Sequence, residues 1–243
     1  MKPLITIFIL LYNNVSELEP TVASILEQDY DNAEIIISDD GSTKYDTGIL
    51  EKYAKRLRAR YASVRVNVNL ENVGTVKHLN KVFRLANGKY MFSCCSGDRY
   101  ASRDTISKLV AYFEKSGALL VTTRRIDEYD NKKTKVRPSR LVGAALRLCP
   151  MKLRDYMLAK KNLISGCCTF YSKALFEQYG YLDERYHLVE DYPLYIKLLT
   201  KGVRIYWYGI ETVIHGIGGV STGRIHPSIY KDIELLRSEY NSN

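Results

Sequence analysis

Residues 34–43 read Glu-Ile-Ile-Ile-Ser-Asp-Asp-Gly-Ser-Thr, an apolar β-branched run that stops abruptly in two carboxylates and a glycine turn. Such a run marks a strand buried on both faces, the usual state in a parallel sheet. Working back, Leu4–Leu11 is a second run of the same kind, and Leu18, Val22, Ile25 and Leu26 recur between them at helical spacing over Ser16–Glu27. Working forward, the pattern predicts a helix over Tyr45–Tyr61, a strand at Val64–Val68, a helix over Val76–Ala86 and a strand at Tyr90–Cys94. Strand and helix alternating at this spacing imply right-handed crossovers. The expected fold class is α/β, a mostly parallel central sheet flanked by helices with a Rossmann-like nucleotide-binding core. Ligands of such sheets collect at the carboxyl ends of the strands. Those ends carry Tyr12 and Asn13, Asp39 and Asp40, and Asp98.

The second half of the chain reads differently. Arg124–Asn162 is rich in Lys and Arg with little clean periodicity, so it is expected to leave the core as part loop and part amphipathic helix. Its apolar and basic run Leu141–Leu158 suits a membrane surface or an acceptor, or else a solvated insertion. Regular structure is expected again at Leu163–Tyr171, in helices over Lys173–Tyr179 and from Glu190 to Lys201, and in a last strand at Arg204–Tyr208. A glycine-rich loop then carries His215 to Thr222, and a charged helix covers Pro227–Tyr240. This divides the chain into a core at 1–123 and a second part of the same domain at 124–243, with the basic insertion at 124–162 and the C-terminal helix.

With 243 residues, 46% hydrophobic and 26% charged, the chain can bury a substantial core, which excludes wholesale disorder and fibrous architectures. A formal charge of +9 calls for an anionic partner. There is no zinc-finger spacing, RNP-like aromatic motif or basic heptad region, so no nucleic-acid partner is expected and phosphate-bearing substrates or a membrane surface fit better. The five cysteines include two adjacent pairs and no CxxC, which points to reduced thiols in a cytosolic protein. Leu4–Leu11 is short and lacks a cleavage site, and no stretch approaches the ~20 apolar residues of a membrane span. The expected setting is the cytoplasm, at most the inner face of a membrane.

Taken alone, Asp39-Asp40-Gly41-Ser42-Thr43 has two readings. The carboxylates accept hydrogen bonds from a base and a ribose, or Asp40 or Ser42 caps the next helix. An NAD-binding core is disfavoured because no GxGxxG follows a strand, and a nucleotidyltransferase because no basic glycine loop follows the first.

The stretches ITIFILLYNN, EIIISDDGST, NVGTVKHLNKVFRLANGKY, SGDRY and LVEDYPLYIKLLTKG occur in this order. Together they resemble family 2 glycosyltransferases, the large inverting group with the GT-A fold, over nearly the whole chain to about Gly223. The resemblance implies transfer of a sugar from a nucleoside diphosphate donor, expected to be UDP-linked, to an acceptor hydroxyl, with inversion. It sets this in bacterial cell-surface polysaccharide synthesis, with a glycan or lipid-linked acceptor. Tyr12 and Asn13 would lie beside the nucleotide, Asp39 would hold the base and Asp40 would support that pocket. Gly74 would permit close approach, while Lys77 or His78 would face the phosphates or be an ordinary helix residue. Asp191 would be the general base and Glu190 would contact the acceptor or position Asp191, although carboxylates at a helix start also serve as caps. His215 would reach the diphosphate or a divalent cation, Mn²⁺ or Mg²⁺; Arg224 and Ser221 are weaker phosphate candidates. Tyr171, Tyr186 and Tyr192 fall in the expected acceptor region, where rings stack on sugars.

In one place the chain departs from the family. Where the pattern has Asp-x-Asp-Asp, this sequence has Cys95-Ser96-Gly97-Asp98, and only the last acid is kept. Asp98 would then hold the cation and the nucleotide without that help, since such ions bind through one or two carboxylates plus phosphates and water. Loss of the earlier acids also allows a second reading, a catalytically impaired relative that binds nucleotide-sugar or glycan.

Overall fold

The computed structural model describes residues 1–43, 46, 48–129, 134–216 and 227–241. A nine-stranded sheet has the order β3-β2-β1-β4-β8-β6-β9-β5, with β7 paired to β6. Its first half comes from β1 (Ile5–Leu11), β2 (Ala33–Asp39), β3 (Ser63–Val68) and β4 (Tyr90–Ser93), all parallel. Between them run α1 (Leu18–Leu26), α2 (Gly48–Arg58) and α3 (Thr75–Leu85). Alternation along the strands splits the core in two. Ile5, Ile7, Ile9, Ile35 and Ile37 face α1, α2 and α4 (Thr105–Ser116), while Phe8 and Ile36 face α3 and the helices of the second half. β2 is buried at every position, as its Ile run requires.

The second half mixes directions. β6 (Leu120–Glu128) runs parallel to β9 (Tyr206–His215) but antiparallel to β7 (Thr134–Arg137) and β8 (Thr169–Ser172), and β8 joins the halves through β4. The two-residue β5 (Arg99–Tyr100) closes the edge on β9. Behind β8 lie α5 (Arg140–Leu148), α6 (Pro150–Ala159), α7 (Lys173–Tyr179), α8 (Asp191–Thr200) and α9 (Pro227–Asn241). Stacked rings of Phe83 and Phe176, 4.5 Å apart, tie α3 to α7.

Three expectations change. The stretch from Arg124 begins in regular structure, because Arg124–Glu128 continue β6 and Thr134–Arg137 return along it. The last strand extends to His215, held in register by Asp127 of β6, so His215 ends a strand and does not ride a loop. α2 starts later than read, at Gly48, whose N–H is met by Asp46 Oδ1 at 2.9 Å. Asp40 and Ser42 therefore do not cap it, and that alternative falls. Ser221 and Arg224 lie outside the described residues.

Candidate active site

The carboxyl ends of β1, β2 and β4 converge. Asp39, fully buried, accepts the N–H of Ser42 at 3.0 Å and its hydroxyl, so the carboxylate shapes its own turn. Asn13 has φ 57° and ties β1 to that turn, its N–H donating to Ser42 Oγ at 2.7 Å and its Oδ1 accepting from the Thr43 N–H at 3.1 Å. Tyr12 beside it is 48% exposed, an aromatic face open at the carboxyl end of β1.

Asp40 turns the other way. It accepts from Asn69 Nδ2 at 2.8 Å and from the N–H groups of Val73 and Gly74, each at 3.1 Å. These donors hold the entrance to α3. Gly74 has φ +86°, and a Cβ there would fall 2.6 Å from the imidazole of His187, so only glycine fits. Lys77 is exposed on α3, but His78 is buried against Ser38 Oγ at 2.6 Å, and burial lowers its pKa. His78 therefore braces β2; it does not face phosphates.

A second group gathers across β4 and β9. Asp98 follows the Cys95–Gly97 turn, and its backbone carbonyl accepts from Thr21 of α1 at 2.6 Å. His215 Nδ1 lies 2.7 Å from Asp98 Oδ1, to which the Gly216 N–H also donates at 3.2 Å. Burial pulls the His215 pKa down, but the bond to Asp98 and the neighbouring sulfur of Cys167 outweigh it and raise it to about 10. Burial pushes Asp98 up while His215 pulls it down, and burial prevails. Donor atoms of Asp98, Cys167 and His215 all lie within 4.8 Å of one another, and among the described residues this is the one such group that could hold a metal ion. The sequence reading found the first and last of the three and missed the sulfur.

The turn bearing Cys167 also reaches the Glu190–Asp191 pair. A Cβ on Gly166 would lie 3.0 Å from Asp191 Oδ2 and 3.3 Å from Glu190 Oε1. Glu190 is the N-cap of α8 yet makes no capping hydrogen bond with its side chain, so simple capping does not account for it. Burial, then the Asp191 charge, raise the Glu190 pKa; Asp191 is raised as well, by burial first, against donors that include Asn162. Asn162 Nδ2 sits 3.3 Å from both Asp191 oxygens. From α9, buried Asp232 accepts the N–H groups of His187, Leu188 and Val189 at 2.8–3.1 Å and fixes the approach to the pair. Neither Asn162 nor Asp232 stands in any sequence pattern. Tyr171, Tyr186 and Tyr192 are buried, with the Tyr192 hydroxyl on the Met157 carbonyl and that of Tyr186 on Glu239 at 2.9 Å, so they belong to the core and offer no stacking face for a sugar.

Asp39, Asp40 and Asp98 are buried, and Glu190 and Asp191 are half-buried. Two hollows of about 270 and 310 Å³, one between α5 and β9 and one between α8 and α9, include none of them.

The sequence profile of glycosyl transferase family 2 matches residues 6–180, more than half of the chain. The chain belongs to that family. Among its relatives, the Bacillus subtilis glycosyltransferase TuaG, assigned to teichuronic acid biosynthesis, is 28% identical over 209 residues, covering 84% of this chain and 75% of TuaG. An uncharacterized glycosyltransferase of Haemophilus influenzae is 33% identical over 114 residues, which are 47% of this chain and 34% of that protein. The structure of Staphylococcus aureus TarS 1-349 in complex with UDP-GlcNAc superposes with a TM-score of 0.73 at 17% identity, covering 97% of this chain and 65% of TarS 1-349. The matched stretches span about a third of the Haemophilus protein and three quarters of TuaG. The GT-A fold expected from the sequence is the fold observed.

Proposed function

We propose that this family 2 domain is an inverting glycosyltransferase that moves a sugar from a nucleoside diphosphate, UDP in the first instance, to an acceptor hydroxyl. The observation that carries it is the convergence of two carboxylate groups on one turn: Asp98 with His215 on one side of Gly166–Cys168, Glu190 with Asp191 on the other. Diphosphate and acceptor need to meet across such a gap.

Asp39 accepts hydrogen bonds from the base, Tyr12 covers it, Asn13 and Asp40 hold the pocket in shape, and Gly74 leaves room at its rim. Lys77 lends positive charge from the exposed face of α3. Asp191 takes the proton of the acceptor hydroxyl as its oxygen bonds to the anomeric carbon, and the bond from that carbon to the diphosphate breaks with its electron pair on the leaving nucleotide. One displacement inverts the centre. A raised pKa makes Asp191 a stronger base than an ordinary carboxylate, and Glu190 orients the incoming hydroxyl. A divalent cation, Mn²⁺ or Mg²⁺ by family precedent, would be held by Asp98 and His215, a carboxylate and an imidazole 2.7 Å apart, by displacing the proton they otherwise share; bound there it would supply positive charge to the leaving diphosphate.

TarS with UDP-GlcNAc supports the choice of donor, and TuaG supports cell-surface polysaccharide as the product. No helix among the described residues is long and apolar enough to cross a membrane. Leu141 and Leu148, two turns apart on α5, are 80% and 77% exposed beside Arg140 and Arg147, and Met151 and Lys152 continue the patch. This face supports peripheral docking at an anionic inner membrane surface, where a lipid-linked acceptor would lie. Binding to anionic liposomes at low salt tests that; none would remove it.

The main test is release of UDP from UDP-sugars in the presence of Mn²⁺. Turnover abolished by Asp98→Ala and Asp191→Ala is expected. Donor binding with no release under any metal would instead favour the impaired relative, and no binding of any nucleotide-sugar would sink the proposal.

A further inference from the structure

Sulfur is an odd donor in this position. Family precedent puts further acids beside Asp98, where this chain has Cys95, Ser96 and Gly97. The third donor near Asp98 and His215 is Cys167 Sγ, delivered by the short turn Gly166–Cys168.

We infer that Cys167 is a metal ligand, and that the site is a carboxylate–thiolate–imidazole centre favouring borderline-soft ions such as Co²⁺, Zn²⁺ and Cd²⁺ over Mg²⁺ more strongly than an all-oxygen site would. This rests on the proposed activity only in that the ion's open positions would face the diphosphate.

Three observations carry it. The first is that the two adjacent cysteines are not equivalent. Cys168 is fully buried, with its sulfur turned to the carbonyls of Thr123 at 3.5 Å and Ser165 at 3.6 Å, whereas Cys167 is half-buried and its sulfur lies within 4.8 Å of the Asp98 and His215 donor atoms. The second is that the turn is braced. The Ser165 carbonyl accepts from Thr169 Oγ1 at 2.9 Å, and Arg125 Nη1 donates to Ser165 Oγ at 3.0 Å and touches the Cys167 sulfur at 3.5 Å. Ligands held by such outer partners keep their aim. The third is charge. A metal-bound thiolate carries the same unit charge as the carboxylate it stands in for, so with Asp98 it still neutralises a dication. What changes is softness, which moves preference from oxygen-seeking ions towards those that take sulfur and imidazole. Three protein donors leave coordination positions for phosphate and water, as an open site needs.

The test adds Co²⁺ to the 243-residue chain, without and with UDP, and follows near-ultraviolet absorbance with equilibrium dialysis in parallel. A sulfur-to-cobalt charge-transfer band at about one ion per chain is expected in the wild type and in Cys149→Ser, and its loss in Cys167→Ser with unchanged circular dichroism. Cys167→Asp is expected to bind Co²⁺ without the band and to narrow the Co²⁺-over-Mg²⁺ affinity ratio at least tenfold. Bound cobalt with no band, a band that survives Cys167→Ser, or no cobalt bound in either condition overturns the inference. Calorimetry with UDP alone keeps the two readings apart. UDP bound without the band removes the sulfur ligand and leaves the donor; the band without nucleotide binding does the reverse.

Discussion

A Cβ on Gly166 would stand 3.0 Å from the Asp191 oxygen Oδ2, so the absence of a side chain at one residue is what lets the other keep its position. Gly166→Ala should push the carboxylate aside by a few tenths of an ångström. A displacement of about 1 Å can cost about a hundredfold in rate, so a few tenths should cost about tenfold. The expected result is that loss in kcat for transfer, with Tm nearly unchanged; an unaltered kcat would mean that Asp191 does not act from this position.

Asp191→Asn and Glu190→Gln should divide stability from activity. Burial raises both carboxyl groups, so the folded state favours their neutral forms. The stability this gives is full below the unfolded pKa of about 4 and is lost as pH rises through the folded values. Each amide variant should therefore melt a few °C higher than the wild type at pH 8, with the gap closing near pH 4, on the scale of about 2–4 °C per kcal/mol. Turnover in Asp191→Asn should fall by about 10²–10⁴. Melting curves at both pH values and one rate measurement decide it.

Asn162 holds the charged form of Asp191 through donors 3.3 Å from both oxygens, which lowers the pKa against the rise from burial. A base acts only when ionised, so activity should climb with pH through the Asp191 ionisation. Asn162→Ala removes the donors, raises that pKa, and should shift the acid limb of kcat/KM to higher pH. The deficit should be larger at pH 6 than at pH 8; a uniform deficit would assign Asn162 a packing role only.

Asp232→Ala would strand three N–H groups before α8. Hydrogen bonds to a charged acceptor contribute about 1.5–3 kcal/mol, with the loss partly recovered by water. A drop in Tm of roughly 5–10 °C is expected, with kcat reduced because His187–Glu190 loosens. Hydrogen exchange at Leu188 and Val189 should rise first.

Much of the first half was legible because β1, β2 and β4 are buried on both faces and their apolar runs leave no second reading. Strand-end placement then put Asp39 and Asp98 in view. β9 was cut short because Trp207–Glu211 lacks such a run; the strand continues since β6 offers it a parallel edge, and pairing with a distant strand leaves no local signal. Asp232, Asn162 and Cys167 were missed for a related reason. Each acts across the fold on a backbone or side chain far away in sequence. The tyrosines misled in the opposite sense, because the same ring that can stack on a sugar also fills a core.

Asp98, Cys167 and His215 stand on three segments separated by whole strands and helices, and His215 gains its place only when β9 has docked along β6. Contacts of such long sequence separation form late and slowly, after the loop-closure entropy has been met. A chain emerging from the ribosome would thus carry the local turn at Asp39–Ser42 well before the cluster exists. In a growing chain the three donors would therefore be among the last groups of the fold to meet.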